Sequence, residues 1–176
     1  MVIFKNNSNM KKICLILLIE LLMASCNKYE PLHFPRTPYE GKELRTDGFW
    51  YNIHYSQYDW KPDCMNLYFM YRDGVYLFAA TVNTTDPSKV TIDSISPHGY
   101  NYNNQIRWGV FEVEYDTLKW SQWFWPNPAP GIAVLTTFEI INDTCFKNER
   151  DGVEEYYYFY PFDYKPDSTI ARQWIP

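Results

Sequence analysis

Histidine, glycine and cysteine are all scarce in this chain, at three, seven and four among 176 residues. Each shortage removes a class of chemistry. The histidines, His33, His54 and His98, stand at no spacing that would put two on one metal, and there is no His-Glu-x-x-His or paired Cys-x-x-Cys. The glycines are too few and too scattered to build a phosphate-cradling loop, and no Gly-x-Ser-x-Gly elbow is present. No motif implies a metal or a cofactor. Basic residues are outnumbered, 16 against 21 acidic, so nucleic acid is not an expected partner. A long apolar run is missing too. The best candidate, Ile13 to Ala24, is 12 positions long with Glu20 inside it, whereas a spanning helix needs about 20.

What that short run does fit is an export signal. Lys11 and Lys12 precede it, and Leu22-Met23-Ala24-Ser25-Cys26 follows with small residues before a cysteine. Met10-Lys11-Lys12 is a more natural start than Met1. The stretch Leu22 to Cys26 resembles the lipobox of bacterial lipoproteins, with Met23 where Leu is usual. The resemblance covers the first 26 residues. It implies cleavage before Cys26, a diacylglyceryl thioether on its sulfur and acylation of the new amino group. Chains attached in this number would hold the protein on its membrane stably. Asn27, in place of the Asp that commonly retains lipoproteins at the inner membrane, implies passage to the outer membrane. The expected organisation is a signal peptide over 1–25, a lipidated cysteine and Pro-rich tether over 26–47, and a single β domain over 48–176. Without residues 1–25 the chain carries 13 basic and 20 acidic residues, a net charge of −7. Cys64 and Cys145 then remain, an even pair in an oxidising compartment, either bridged or kept as two buried thiols.

Aromatics are what the chain has in excess. Phe, Trp and Tyr make up 19% of it, and with β-branched residues and Pro-marked breaks they favour strands. Alternation predicts strands near 49–55, 65–72, 75–82, 106–114, 117–124, 133–141, 144–147 and 154–162, with Val90 to Ile95 a further short candidate. Asp73-Gly74 is the strongest hairpin signal. No segment has the period of a three-turn amphipathic helix. The expected fold is all-β, an antiparallel meander of about eight strands that hides its edges by closing into a barrel or by folding into a two-sheet sandwich. Gly48-Phe49-Trp50 resembles the Gly-x-Trp of the first strand of lipocalins, which implies a barrel of that type.

Two aromatic stripes are the candidate binding residues. In 120–125, Trp120 and Phe124 point one way, and Trp123 and Trp125 the other. In 156–160, Tyr156 and Tyr158 oppose Tyr157. Flat aromatics beside polar groups suit an apolar ligand or a sugar, and the same residues suit packing. The only catalytic candidates are carboxylates, Glu112, Glu114 and Glu139, which alternation also explains as a solvated strand face. The reading with most support is a lipid-anchored, non-enzymatic envelope protein that binds a small apolar or carbohydrate ligand. Its rivals are an accessory subunit with an outer-membrane protein partner, and a small glycosidase.

Overall fold

The computed structural model describes residues 30–55, 63–95, 104–124, 131–150 and 152–175. The expected signal peptide, Cys26 and Trp125 lie outside the described residues.

Eight strands follow one another: β1 (Gly48–His54), β2 (Cys64–Met70), β3 (Val75–Val82), β4 (Trp108–Glu114), β5 (Thr117–Phe124), β6 (Ile132–Asn142), β7 (Cys145–Arg150) and β8 (Val153–Pro161). Each pairs antiparallel with the next, and β8 returns to pair with β1, so the meander closes into a barrel. Closure, not a sandwich, is the solution to the edge problem here. Pro161, which lacks an amide donor, is tolerated because it ends β8 opposite Gly48. Gly48 itself is required at that seam. A Cβ there would stand 2.1 Å from the Tyr160 carbonyl oxygen and 2.7 Å from the Phe159 ring.

The barrel has two unlike ends. At the turn end lie three short hairpin connections: 71–74 between β2 and β3, 115–116 between β4 and β5, and 143–144 between β6 and β7. Gly74, at φ +83°, allows the first of these, and Thr37 packs against it so closely that no side chain would fit. The longer connections, such as 83–107, gather at the other, loop end.

Each strand has an inner and an outer face. Register places Trp50, Tyr68, Phe111, Trp120, Phe138, Phe146 and Tyr157 inside. Part of the outer face of β1 to β5 is apolar as well. Phe49, Leu67, Leu77, Val110 and Trp123 form a second core there, under residues 30–36, the short helix Ile92–Ile95 and the C-terminal 3-10 turn Ser168–Gln173. This second core corrects two expectations. Residues 30–47 are not a free tether but part of the fold. Arg36 pairs with the Asp73 carboxylate, and Tyr39 and Leu44 are buried against the inner cluster at the turn end. Val90 to Ile95 is not a strand. Thr91 and Ser94 exchange side-chain and backbone hydrogen bonds of 3.0 to 3.3 Å that start a helical turn instead.

Cys64 and Cys145 are both free thiols. Cys145 faces Tyr158 on β8, Tyr158 faces Tyr51 on β1, and Tyr51 faces Leu67 on β2, three residues from Cys64. Three strand steps amount to ~14 Å around the wall, whereas a bridge needs Cα atoms within about 7 Å. The disulfide expectation is therefore corrected to two separate thiols, one inward and near the loop end, the other outward and near the turn end.

Candidate functional site

The inner face changes character along the barrel axis. Toward the turn end it is filled. Trp50 lies 4.7 Å from Phe146 in a tilted arrangement and donates from its indole nitrogen to the Arg45 carbonyl at 3.0 Å. Toward the loop end it opens into a cavity of about 670 Å³, within the range of small-molecule sites.

The cavity exists because two strands part. β6 pairs with β5 along its whole upper length, from Phe124↔Ile132 to Thr117↔Glu139. With β7 it pairs only near the turn, at Glu139↔Lys147, Ile140↔Phe146 and Asn142↔Cys145. Above that point the inner faces of Val134, Thr136 and Phe138 on one side, and of Asn148 and Arg150 on the other, line the space between. The cavity thus opens sideways between β6 and β7 as well as toward the loop end. A similar parting of β3 from β4, which share three register pairs, is filled by Arg107, whose guanidinium donates to the Phe78 and Ala79 carbonyls.

Aromatic rings form the cavity floor. Trp120 lies 4.4 Å from Phe138, 4.7 Å from Tyr76 in a stacked arrangement, 5.2 Å from Tyr68 and 5.6 Å from Tyr157. Polar groups stand above them. Tyr76 donates to Gln122 Oε1 at 2.7 Å, and Tyr157 donates to Glu155 Oε2 at 3.3 Å. Burial pushes the phenols of Tyr68, Tyr76 and Tyr157 well above their ordinary range, so they remain protonated hydrogen-bond donors rather than bases or nucleophiles. Two lining residues have buried polar atoms with no partner among the described residues: the indole Nε1 of Trp120, a donor, and Oδ1 of Asn148, an acceptor. A buried polar atom without a partner is costly, and in native structures it calls for an explanation.

Of the four candidate aromatics among the described residues, only Trp120 lines this cavity. It is 4% exposed. Trp123 is 5% exposed and lies on the outer face beneath residues 30–36, its indole donating to the Glu30 carbonyl at 2.6 Å. That stripe is therefore covered. Tyr156 and Tyr158 are on the outer face of β8, stacked 6.2 Å apart and exposed, and Tyr156 donates to Glu154 at 2.7 Å. Tyr157, between them, turns inward. The carboxylates are also outside. Lys119 pairs with Glu112 at 3.4 Å and Glu114 at 2.8 Å, and Lys147 pairs with Glu139 at 3.6 Å and Glu154 at 2.6 Å. This is a solvated ladder of charge across neighbouring strands. Among the described residues no three His, Cys, Asp or Glu side chains converge on a common point.

The sequence reading missed Tyr68, Phe78, Phe138, Asn148 and Tyr157. Parity along each strand groups them correctly, but which parity faces inward depends on pairing partners, and those are not local. A comparison with family models, with curated proteins and with solved structures gave no match.

Proposed function

We propose that this chain is a lipid-anchored protein of the bacterial cell envelope, held by Cys26 in the outer membrane, whose barrel cavity binds a small ligand with a flat or apolar body and a hydrogen-bonding group. The observation that carries the reading is the cavity over Trp120. Its floor is aromatic and its rim is polar, and Trp120 Nε1 and Asn148 Oδ1, both closed to solvent, lack a partner among the described residues, so that a small turn of either side chain would present a donor or an acceptor to a ligand. A sugar ring or the head of an amphiphile supplies both complements and lays its apolar face on the rings. The lipobox-like Leu22 to Cys26 supports the anchor.

Native mass spectrometry of the protein purified from its own envelope tests the ligand. A small molecule should be retained by the wild type and lost from Thr136→Trp, which fills the cavity from the inner face of β6 while near-ultraviolet circular dichroism stays native. No retained mass, together with no change of tryptophan fluorescence against panels of glycans and amphiphiles, would overturn the reading. Labelling with an alkyne fatty acid, lost in Cys26→Ser, tests the anchor separately.

A further inference from the structure

Where the chain enters the fold limits how a barrel anchored through Cys26 can sit on a membrane. Glu30 is the first described residue, and it is pinned at the loop end. Its amide donates to the Gly131 carbonyl at 3.1 Å, its carboxylate accepts from the Ala133 amide at 3.2 Å, and its carbonyl accepts from Trp123 at 2.6 Å. Four residue steps separate Glu30 from Cys26, which even fully extended reach only ~14 Å. A lipid on Cys26 therefore holds the start of β6 within that distance of the bilayer surface. The turn end can lie farther off by up to the height of the barrel, roughly 18 Å for an eight-residue strand at the usual tilt.

The surface at that point suits a bilayer. Phe124 and Ile132 face each other across the β5–β6 ladder at the lip of the cavity, 54% and 37% exposed, and Leu135 stands exposed on the outer side of β6. The slit between β6 and β7 begins beside them, and Leu135 lines it. Large apolar side chains exposed together at one rim mark a contact surface. At a membrane interface such side chains enter the boundary between headgroups and acyl chains. Net charge of −7 on the chain without residues 1–25 makes attraction to anionic lipid unimportant, so contact rests on apolar burial and the anchor.

We infer that the loop end of the barrel docks on the lipid bilayer through Phe124, Ile132 and Leu135, so that the cavity over Trp120 opens onto the membrane surface rather than away from it. This rests on lipidation of Cys26. The ligand then exchanges between barrel and membrane without crossing open water.

Photo-cross-linking in the full lipidated protein tests the orientation. A benzophenone amino acid replaces either Phe124 or Tyr115, which is 88% exposed at the turn end. Each variant is reconstituted into vesicles of phosphatidylethanolamine and phosphatidylglycerol containing tritiated phosphatidylethanolamine, and flotation confirms attachment. The expected result is a lipid adduct at position 124 several-fold above that at 115, unchanged between low and high salt. With the reporter moved to Leu135, the pair Phe124→Asp and Ile132→Asp should cut the adduct several-fold while flotation persists. Equal adducts at 124 and 115, or more at 115, in protein that floats would overturn the docking and leave the anchor standing. Protein that does not float would overturn both.

Discussion

The two ends of the barrel are built to different rules from one sheet. At the turn end the strands stay paired to their hairpins, and Trp50, Met70, Leu44 and Phe146 fill the interior completely. At the loop end β6 leaves β7, and the interior holds a cavity of about 670 Å³ whose lining includes Trp120 and Asn148, each with a buried polar atom that lacks a partner among the described residues. One end holds the fold, and the other gives up packing where a ligand could restore it. Such a division is expected when a site must exist in a small domain. Unsatisfied groups and lost ladder bonds are tolerable only where the rest of the barrel has stability to spare.

The strongest way to break this comparison is to weaken the filled end. Trp50→Ala empties the space between Phe146 at 4.7 Å and Phe159 at 5.4 Å and strands the Arg45 carbonyl. Truncation of a buried Trp costs about 3–5 kcal/mol, a large part of what a domain of this size has. Thermal and urea unfolding should show the loss directly. A cost below about 1 kcal/mol would mean that the turn end does not carry the fold.

The filled end is also where the sequence was most readable. Val75 to Val82 and Thr117 to Phe124 are strands to the residue, because alternation and the Asp73-Gly74 turn are local signals. Closure was readable only as one of two options, since it depends on Gly48 meeting Pro161 across more than a hundred residues. The site was half readable. Trp120 and Trp123 were correctly set on opposite faces, but which one faces the lumen follows from packing of residues 30–36 over Trp123, a contact between segments 93 residues apart. The tether expectation failed for the same reason. Pro31, Pro35 and Pro38 forbid regular structure, yet an extended strap can still bury Leu32 and Phe34 against the barrel wall.

A second difference between the ends is electrostatic. Lys165 is half-buried at the turn end, donating to the Thr46 carbonyl at 2.6 Å and the Met70 carbonyl at 2.5 Å with its ammonium 4.2 Å from the Tyr71 ring centre. Desolvation lowers its pKa to about 8, against the opposing pull of Asp73 and Asp47. The unfolded chain, with a Lys pKa near 10.4, binds more protons between about pH 8 and 10.4, so stability from this group rises with pH through that window. The gain is at most about 3 kcal/mol. Burial pushes the Cys145 thiol up and the Tyr39 phenol to about 12, and both oppose the gain as the unfolded groups ionise. Comparison with Lys165→Met isolates the effect. Urea midpoints at pH 7 and pH 9.5 should move up more in the wild type than in the variant, and parallel shifts would refute the assignment.

The smallest effect on stability is expected at the loop end, and it is the most informative. Asn148 lines the cavity from β7 with a buried carbonyl oxygen that has no donor among the described residues. Leaving that atom unsatisfied costs stability, because the lost solvation has no return in the empty barrel. Asn148→Leu replaces it with an apolar side chain of similar size. The ligand-free variant should be as stable as the wild type or more so, by up to about 1 kcal/mol. Ligand affinity, measured by native mass spectrometry or calorimetry on the ligand found in the wild type, should fall by about 3- to 10-fold, the worth of one hydrogen bond. Trp50→Ala should show the reverse pattern, a large loss of stability with affinity kept in the folded fraction. If Asn148→Leu instead destabilises the barrel and leaves affinity alone, the oxygen serves the fold, and the two ends do not differ in the way their packing says.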